Sequence, residues 1–128
     1  EGTRFTTKKL ARSIVKLREK GWTELVSIAE QFKSVLPPRL AGSLALLEAA
    51  PELDLVILEH TGFEGAATFD SFWSGQLVGR RVFVRMRRIP AADIPSEGRK
   101  LWLFQQWRET DRWVTSLYPQ TYPERTES

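Results

Sequence analysis

Val82-Phe83-Val84-Arg85-Met86-Arg87-Arg88-Ile89 is the stretch on which the fold turns. Val82, Val84 and Met86 fall on one side of a period-two pattern, and Arg81, Phe83, Arg85 and Arg87 fall on the other, as in a strand with one apolar and one charged face. The pattern predicts an edge or half-exposed strand over 82–89, its arginines towards solvent. Upstream, Leu53–Leu58 is a compact apolar run of strand length, consistent with a buried strand lying parallel to its neighbours. Between these two runs, residues 61–67 carry two glycines and read as a loop, and residues 68–73 read as a helical turn around Phe69, Phe72 and Trp73.

The flanks are helical. Leu10, Ile14 and Leu17 recur at helical spacing within a Lys- and Arg-rich run from Thr7 to Lys20, and Gly21 is a natural stop. Thr23 is placed to cap a second short helix with Leu25, Ile28, Ala29 and Phe32 on one face. Val35-Leu36-Pro37-Pro38 is held extended by its prolines. A third helix spans 40–50 up to Pro51, and Ser96 is placed to cap a last one running to about Leu117, with Leu103, Trp107, Val114 and Leu117 on a stripe. Helices alternating with a few strands give an α/β fold. The expected division is one unit over 1–117 and a flexible, Pro- and Thr-containing tail over 118–128.

Composition narrows the function classes. At 41% hydrophobic and 27% charged, the chain is an ordinary globular one. The absence of Cys removes disulfides, thiol nucleophiles and thiolate metal sites. No charged-then-apolar stretch lies at the start of this sequence, so no signal peptide is expected within it, and its apolar runs are far too short to span a bilayer. The net charge of +3 is mild, but Lys and Arg gather in 4–20 and 80–88 while acids dominate 48–70. Such polarity favours anionic partners: phosphates, nucleic acid or anionic lipid head groups. The plainer reading is that both basic runs are solvated faces. His60 with Glu64 lacks a third ligand nearby, so no metal is expected. The serines show no Gly-x-Ser-x-Gly context and the glycines form neither a P-loop nor a dinucleotide fingerprint. Trp102, Trp107 and Trp113 read as core with partial exposure, and an aromatic-rich helix of this kind can also rest at a membrane interface. In a shortened protein, they can instead form the surface that covered a missing half.

The sharpest local signal is Glu1-Gly2-Thr3-Arg4. A guanidinium offers a planar fork of donors to phosphate oxygens, Gly2 lets the backbone approach closely, and Glu1 can orient Arg4 or accept from a substrate hydroxyl. An ordinary turn with a salt bridge would carry the same four letters. With Phe5, this string is similar to the third block, Pro-Glu-Gly-Thr-Arg, of the glycerophosphate and lysophosphatidic acid acyltransferase family. The likeness continues in order. Leu36-Pro37-Pro38-Arg39 sits where the fourth block falls, and Asp54-Leu55-Val56-Ile57 resembles a strand of the Asp-Val-Thr-Ile type. Residues 82–90, followed by Ile94-Pro95, resemble a Val-His-Val-x-Arg-x-Pro strand. Leu101-Trp102-Leu103 with Trp107 and Asp111 resembles the closing helix. The resemblance covers residues 1 to about 114.

The resemblance implies the C-terminal part of an acyltransferase domain. In that family an acyl group passes from acyl-CoA or acyl carrier protein to a hydroxyl of a glycerophospholipid acceptor such as lysophosphatidic acid. A histidine, oriented by an aspartate five residues on, acts as general base, because a hydroxyl is a weak nucleophile until its proton is taken. Glu1, Gly2, Thr3 and Arg4 would bind the acceptor's phosphate, and Pro38 and Arg39 would shape the acceptor or acyl-donor pocket. No cofactor is implied beyond the acyl donor as co-substrate. The implied partners are a membrane surface, on the cytoplasmic face, and a missing N-terminal half of the same enzyme, with the fragment itself soluble and nucleic acid unexpected as a partner. His60 is the sole histidine and is followed five residues on by Gly65, so the chain cannot supply His-x4-Asp. It opens on Glu1 rather than Met and is expected to be a fragment, inactive alone. The alternative is a small basic module that binds nucleic acid or anionic lipid through the 80–88 strand. A third possibility is that a partner or an oligomer covers the surfaces that the rest of the enzyme would otherwise cover.

Overall fold

A computed structural model describes residues 5–62 and 81–121. Among the described residues, four helices and a two-stranded antiparallel sheet make a mixed α/β arrangement. Helix α1 spans Thr7–Glu19, and the Thr6 hydroxyl accepts the Lys9 amide at 3.1 Å to cap it. Its C-terminus is closed by Gly21, at φ +73°. The Gly21 N–H donates to the Arg18 carbonyl and the Trp22 N–H to the Leu17 carbonyl, a pairing that needs the left-handed conformation glycine adopts without strain.

Helix α2, Thr23–Ala29, buries Leu25, Val26 and Ala29 against α1 and the last helix. The start falls as the sequence predicts, but Thr23 is the first helical residue rather than the cap, and Trp22 at the cap supplies no side-chain hydrogen bond. After buried Pro37 and Pro38, helix α3 covers Leu40–Ala49 and packs on the last helix, α4, which spans Arg99–Thr121. α4 begins three residues beyond the expected Ser96 cap and passes the expected boundary at residue 117. The rest of the expected tail, 122–128, lies outside the described residues, as do the loop and helical turn expected within 63–80. The core gathers Leu17, Leu25, Val26, Ala29 and Phe104, with Ile14, Trp22, Ile28, Leu40 and Leu101 packed around it. Phe32 stacks on Phe104 with ring centroids 6.5 Å apart.

Strand β1, Leu55–Thr61, pairs antiparallel with β2, Phe83–Ile89, in the register Ile57 to Arg87, Glu59 to Arg85 and His60 to Val84. Two expectations are corrected here. The first run is neither parallel nor buried on both faces, since Val56 and Leu58 are 55% and 60% exposed. The alternation in the second run is as the sequence predicts, but its sense is inverted. Val84 and Met86 face outward at 58% and 71% exposure, whereas Arg85 and Arg87 turn inward towards α4. The cause is Glu59, which sits on the inner face of β1 and gives both guanidiniums a buried counter-charge. Where the strands part, Gly62 has φ +111°, and a Cβ there would run into the Arg81 carbonyl oxygen.

Candidate functional site

The four residues of the Glu1-Gly2-Thr3-Arg4 block lie outside the described residues. Pro38 and Arg39 are described: Pro38 is buried, and Arg39 is exposed in extended geometry (φ −80°, ψ 110°) as the residue preceding α3. What fixes this loop comes from α4. Asp111, 3% exposed, accepts the backbone N–H groups of Lys33 at 3.0 Å, Ser34 at 2.6 Å and Val35 at 3.0 Å. Ser34 Oγ and Thr115 Oγ1 lie 2.7 Å apart beside it. A buried carboxylate holding three amides is a strong anchor, because each charge-assisted bond contributes about 1.5–3 kcal/mol. Asp111 thereby sets the path of the chain into Leu36-Pro37-Pro38-Arg39.

The same junction forms an open groove of about 520 Å³ lined by Gln31, Lys33, Arg108, Arg112, Thr115 and Ser116, with Asp111 at its base. The carboxylate is already engaged by amides. Lys33, Arg108 and Arg112 make no ion pair among the described residues. The groove therefore carries an excess of positive charge, a setting that attracts anions.

The arginine strand has a different chemistry from the one its sequence suggests. Glu59 Oε1 accepts Arg85 Nε at 2.7 Å and Arg87 Nε at 2.9 Å, and Oε2 accepts Arg85 Nη2 at 2.9 Å and the Thr110 hydroxyl at 2.5 Å. Arg87 also donates to Gln106, to Glu109 and to the Gln106 carbonyl, and the Arg85 guanidinium lies 4.9 Å from the Trp113 ring centroid. Burial pushes the Glu59 carboxyl up, but hydrogen bonds from Arg85, Thr110 and Arg87 outweigh it and hold the group below its ordinary range. A carboxylate kept ionised with both oxygens occupied is a poor proton acceptor for catalysis. Its work is to clamp the sheet onto α4.

A second anchor lies at the end of β2. Asp54 accepts the Ala91 amide at 2.9 Å and the Arg88 guanidinium, and these bonds hold its carboxyl below the ordinary range. His60 stands on the outer face of the sheet opposite Val84. No group of three His, Cys, Asp or Glu side chains placed to hold a metal occurs among the described residues.

The anchoring roles of Glu59 and Asp111 escape a reading of the sequence by stripes and runs. One signal for Glu59 is present: it is an acid in an apolar strand, in phase with Ile57. Asp111 follows Phe104 by seven residues and so shares its face of α4. Compared with known proteins, the chain matches no family model, no curated protein and no solved structure.

Proposed function

We propose that the chain is the part of a phospholipid-synthesising acyltransferase that binds the acceptor's phosphate. The enzyme would move a fatty acyl group from acyl-CoA or acyl carrier protein to lysophosphatidic acid or a similar acceptor. The observation that carries this reading is the Asp111 anchor. It ties the helix bearing Asp111 to Lys33, Ser34 and Val35, 76–78 positions away and immediately before Leu36–Arg39, a stretch that the family likeness relates to that helix only by order along the chain. The Asp54 strand and the 82–90 strand, two further stretches of that likeness, are hydrogen-bonded neighbours. The cationic groove beside the loop supplies what a phosphomonoester head group needs. Arg4 and Glu1 would complete phosphate binding, with Pro38 and Arg39 shaping the pocket. The base that takes the hydroxyl proton belongs to the His-x4-Asp motif and so to residues outside this chain.

The alternative, a nucleic-acid module working through the 80–88 strand, requires Arg85 and Arg87 to face solvent. Both are engaged by Glu59 instead. The test is acyl transfer from acyl-CoA to lysophosphatidic acid, compared between the 128-residue chain and the protein expressed from its full reading frame. The chain alone is expected to be inactive. In the full-frame protein, Arg4→Ala is expected to raise KM for lysophosphatidic acid at least tenfold, the loss of about one charge-assisted phosphate contact. Full activity with Arg4→Ala, or no transfer by the full-frame protein, would refute the assignment.

A further inference from the structure

Helix α1 carries cations where its dipole favours them, at Lys16 and Arg18 in the last turn, and also where it opposes them, in the first turn. Between Thr7 and Lys20 it carries six cations (Lys8, Lys9, Arg12, Lys16, Arg18 and Lys20) and one acid, Glu19. Lys8 and Lys9 occupy the first turn, where the helix dipole is positive and no acid is present to offset them. Lys8, Arg12 and Lys16 follow one another at four-residue spacing, so like charges stand over one another on successive turns, each such pair opposing the helix. Arg18 bridges to Glu30 at 2.6 Å, and Lys20 lies 4.7 Å from the Trp22 ring centroid. Lys8, Arg12 and Lys16 have no such partner among the described residues.

These three cations are exposed, as are Ala11 and Val15 between them, the latter at 49%. The opposite side of the helix, with Leu17 and Ile14, is committed to the core. The outcome is a face whose cations span about 12 Å from Lys8 to Lys16, with Ala11 and Val15 as a short apolar ridge beside them and Glu19 as its single acid at the C-terminal end.

We infer that this face of α1 docks on an anionic lipid bilayer. A plane of acidic head groups satisfies Lys8, Arg12 and Lys16 together and relieves their mutual repulsion, while Ala11 and Val15 rest at the acyl boundary. A duplex would satisfy the cations but would leave the Ala11–Val15 ridge against phosphate and water, so the ridge favours lipid. The inference is independent of the acyltransferase assignment, since it requires no acceptor, acyl donor or Arg4.

The chain has no Cys, so Val15→Cys carries a single environment-sensitive fluorophore, and Leu46→Cys on the exposed side of α3 serves as the control. Vesicles of phosphatidylcholine with phosphatidylserine in equal parts are expected to raise and blue-shift emission at position 15, with no change at position 46. Phosphatidylcholine vesicles should do neither. The triple variant Lys8→Gln, Arg12→Gln, Lys16→Gln should lose about fivefold in vesicle affinity per cation removed, on the order of a hundredfold in all. Its circular dichroism should show helix content kept or increased, because the stacked repulsion is gone. Equal binding to neutral vesicles, unchanged affinity of the triple variant, equal emission changes at both positions, or tighter binding to a DNA duplex at equal phosphate concentration would each overturn the inference.

Discussion

Glu59 receives four hydrogen bonds from three side chains and is shut away from solvent. A carboxylate in that position is strongly asymmetric in its energetics. Removing it leaves Arg87, whose side chain is only 15% exposed, without its buried counter-charge. Glu59→Gln is therefore expected to destabilise the chain by about 3 kcal/mol, measured by urea denaturation. The pH dependence follows from the lowered carboxyl. The stabilisation from Glu59 is fully present above its ordinary value of 4.5 and is lost as pH falls through the lower value of the folded state. Stability should thus drop on acidification below about pH 4.5, and Glu59→Gln should remove part of that slope. The remainder should include Asp54, whose carboxyl is displaced in the same direction. An unchanged slope in the variant would show that Glu59 is not held ionised. None of this is legible residue by residue. An acid in an apolar strand reads as a solvated side chain until the opposing strand's arginines are known to share its face.

At the scale of the element, the sheet separates what periodicity can tell from what it cannot. The period of two in 83–89 matches the structure, and so does the membership of each face. Which face turns inward does not, because hydropathy assigns arginines to water and a single buried carboxylate reverses that assignment. The helices are more legible. Leu17, Leu25, Ala29 and Leu103 are buried where their spacing puts them, and Gly21 ends α1 where the sequence predicts. The orientation has a direct test in thermal and urea denaturation. Ile57→Ala, on the inner face at 8% exposure, should cost about 2–4 kcal/mol. Met86→Thr and Leu58→Thr, on the outer face, should each change stability by less than about 0.5 kcal/mol. Large losses from the outer pair, with little from Ile57, would mean that the sheet is turned the other way.

Across the whole molecule, charge is sorted by use. One set of arginines, on β2, is internal and locks the sheet to α4. A second set of cations lines the groove above Asp111, and a third covers the outer face of α1. Composition registers that the chain is basic in patches, but it does not separate cations that hold the fold from cations that meet a ligand. That distinction depends on where Glu59 and Asp111 lie in three dimensions. The likeness in the chain's order points to Leu36–Arg39, and the Asp111 anchor fixes Lys33–Val35, the three residues that lead into it. Phosphate binding is tested by a backbone-amide NMR titration of the chain with glycerol phosphate, using glycerol as control. Shifts are expected at Arg4, at Arg39 and along the Lys33–Arg112 groove, absent with glycerol and removed by Arg4→Ala. Shifts confined to Arg85 and Arg87, or the same response to glycerol, would contradict phosphate binding.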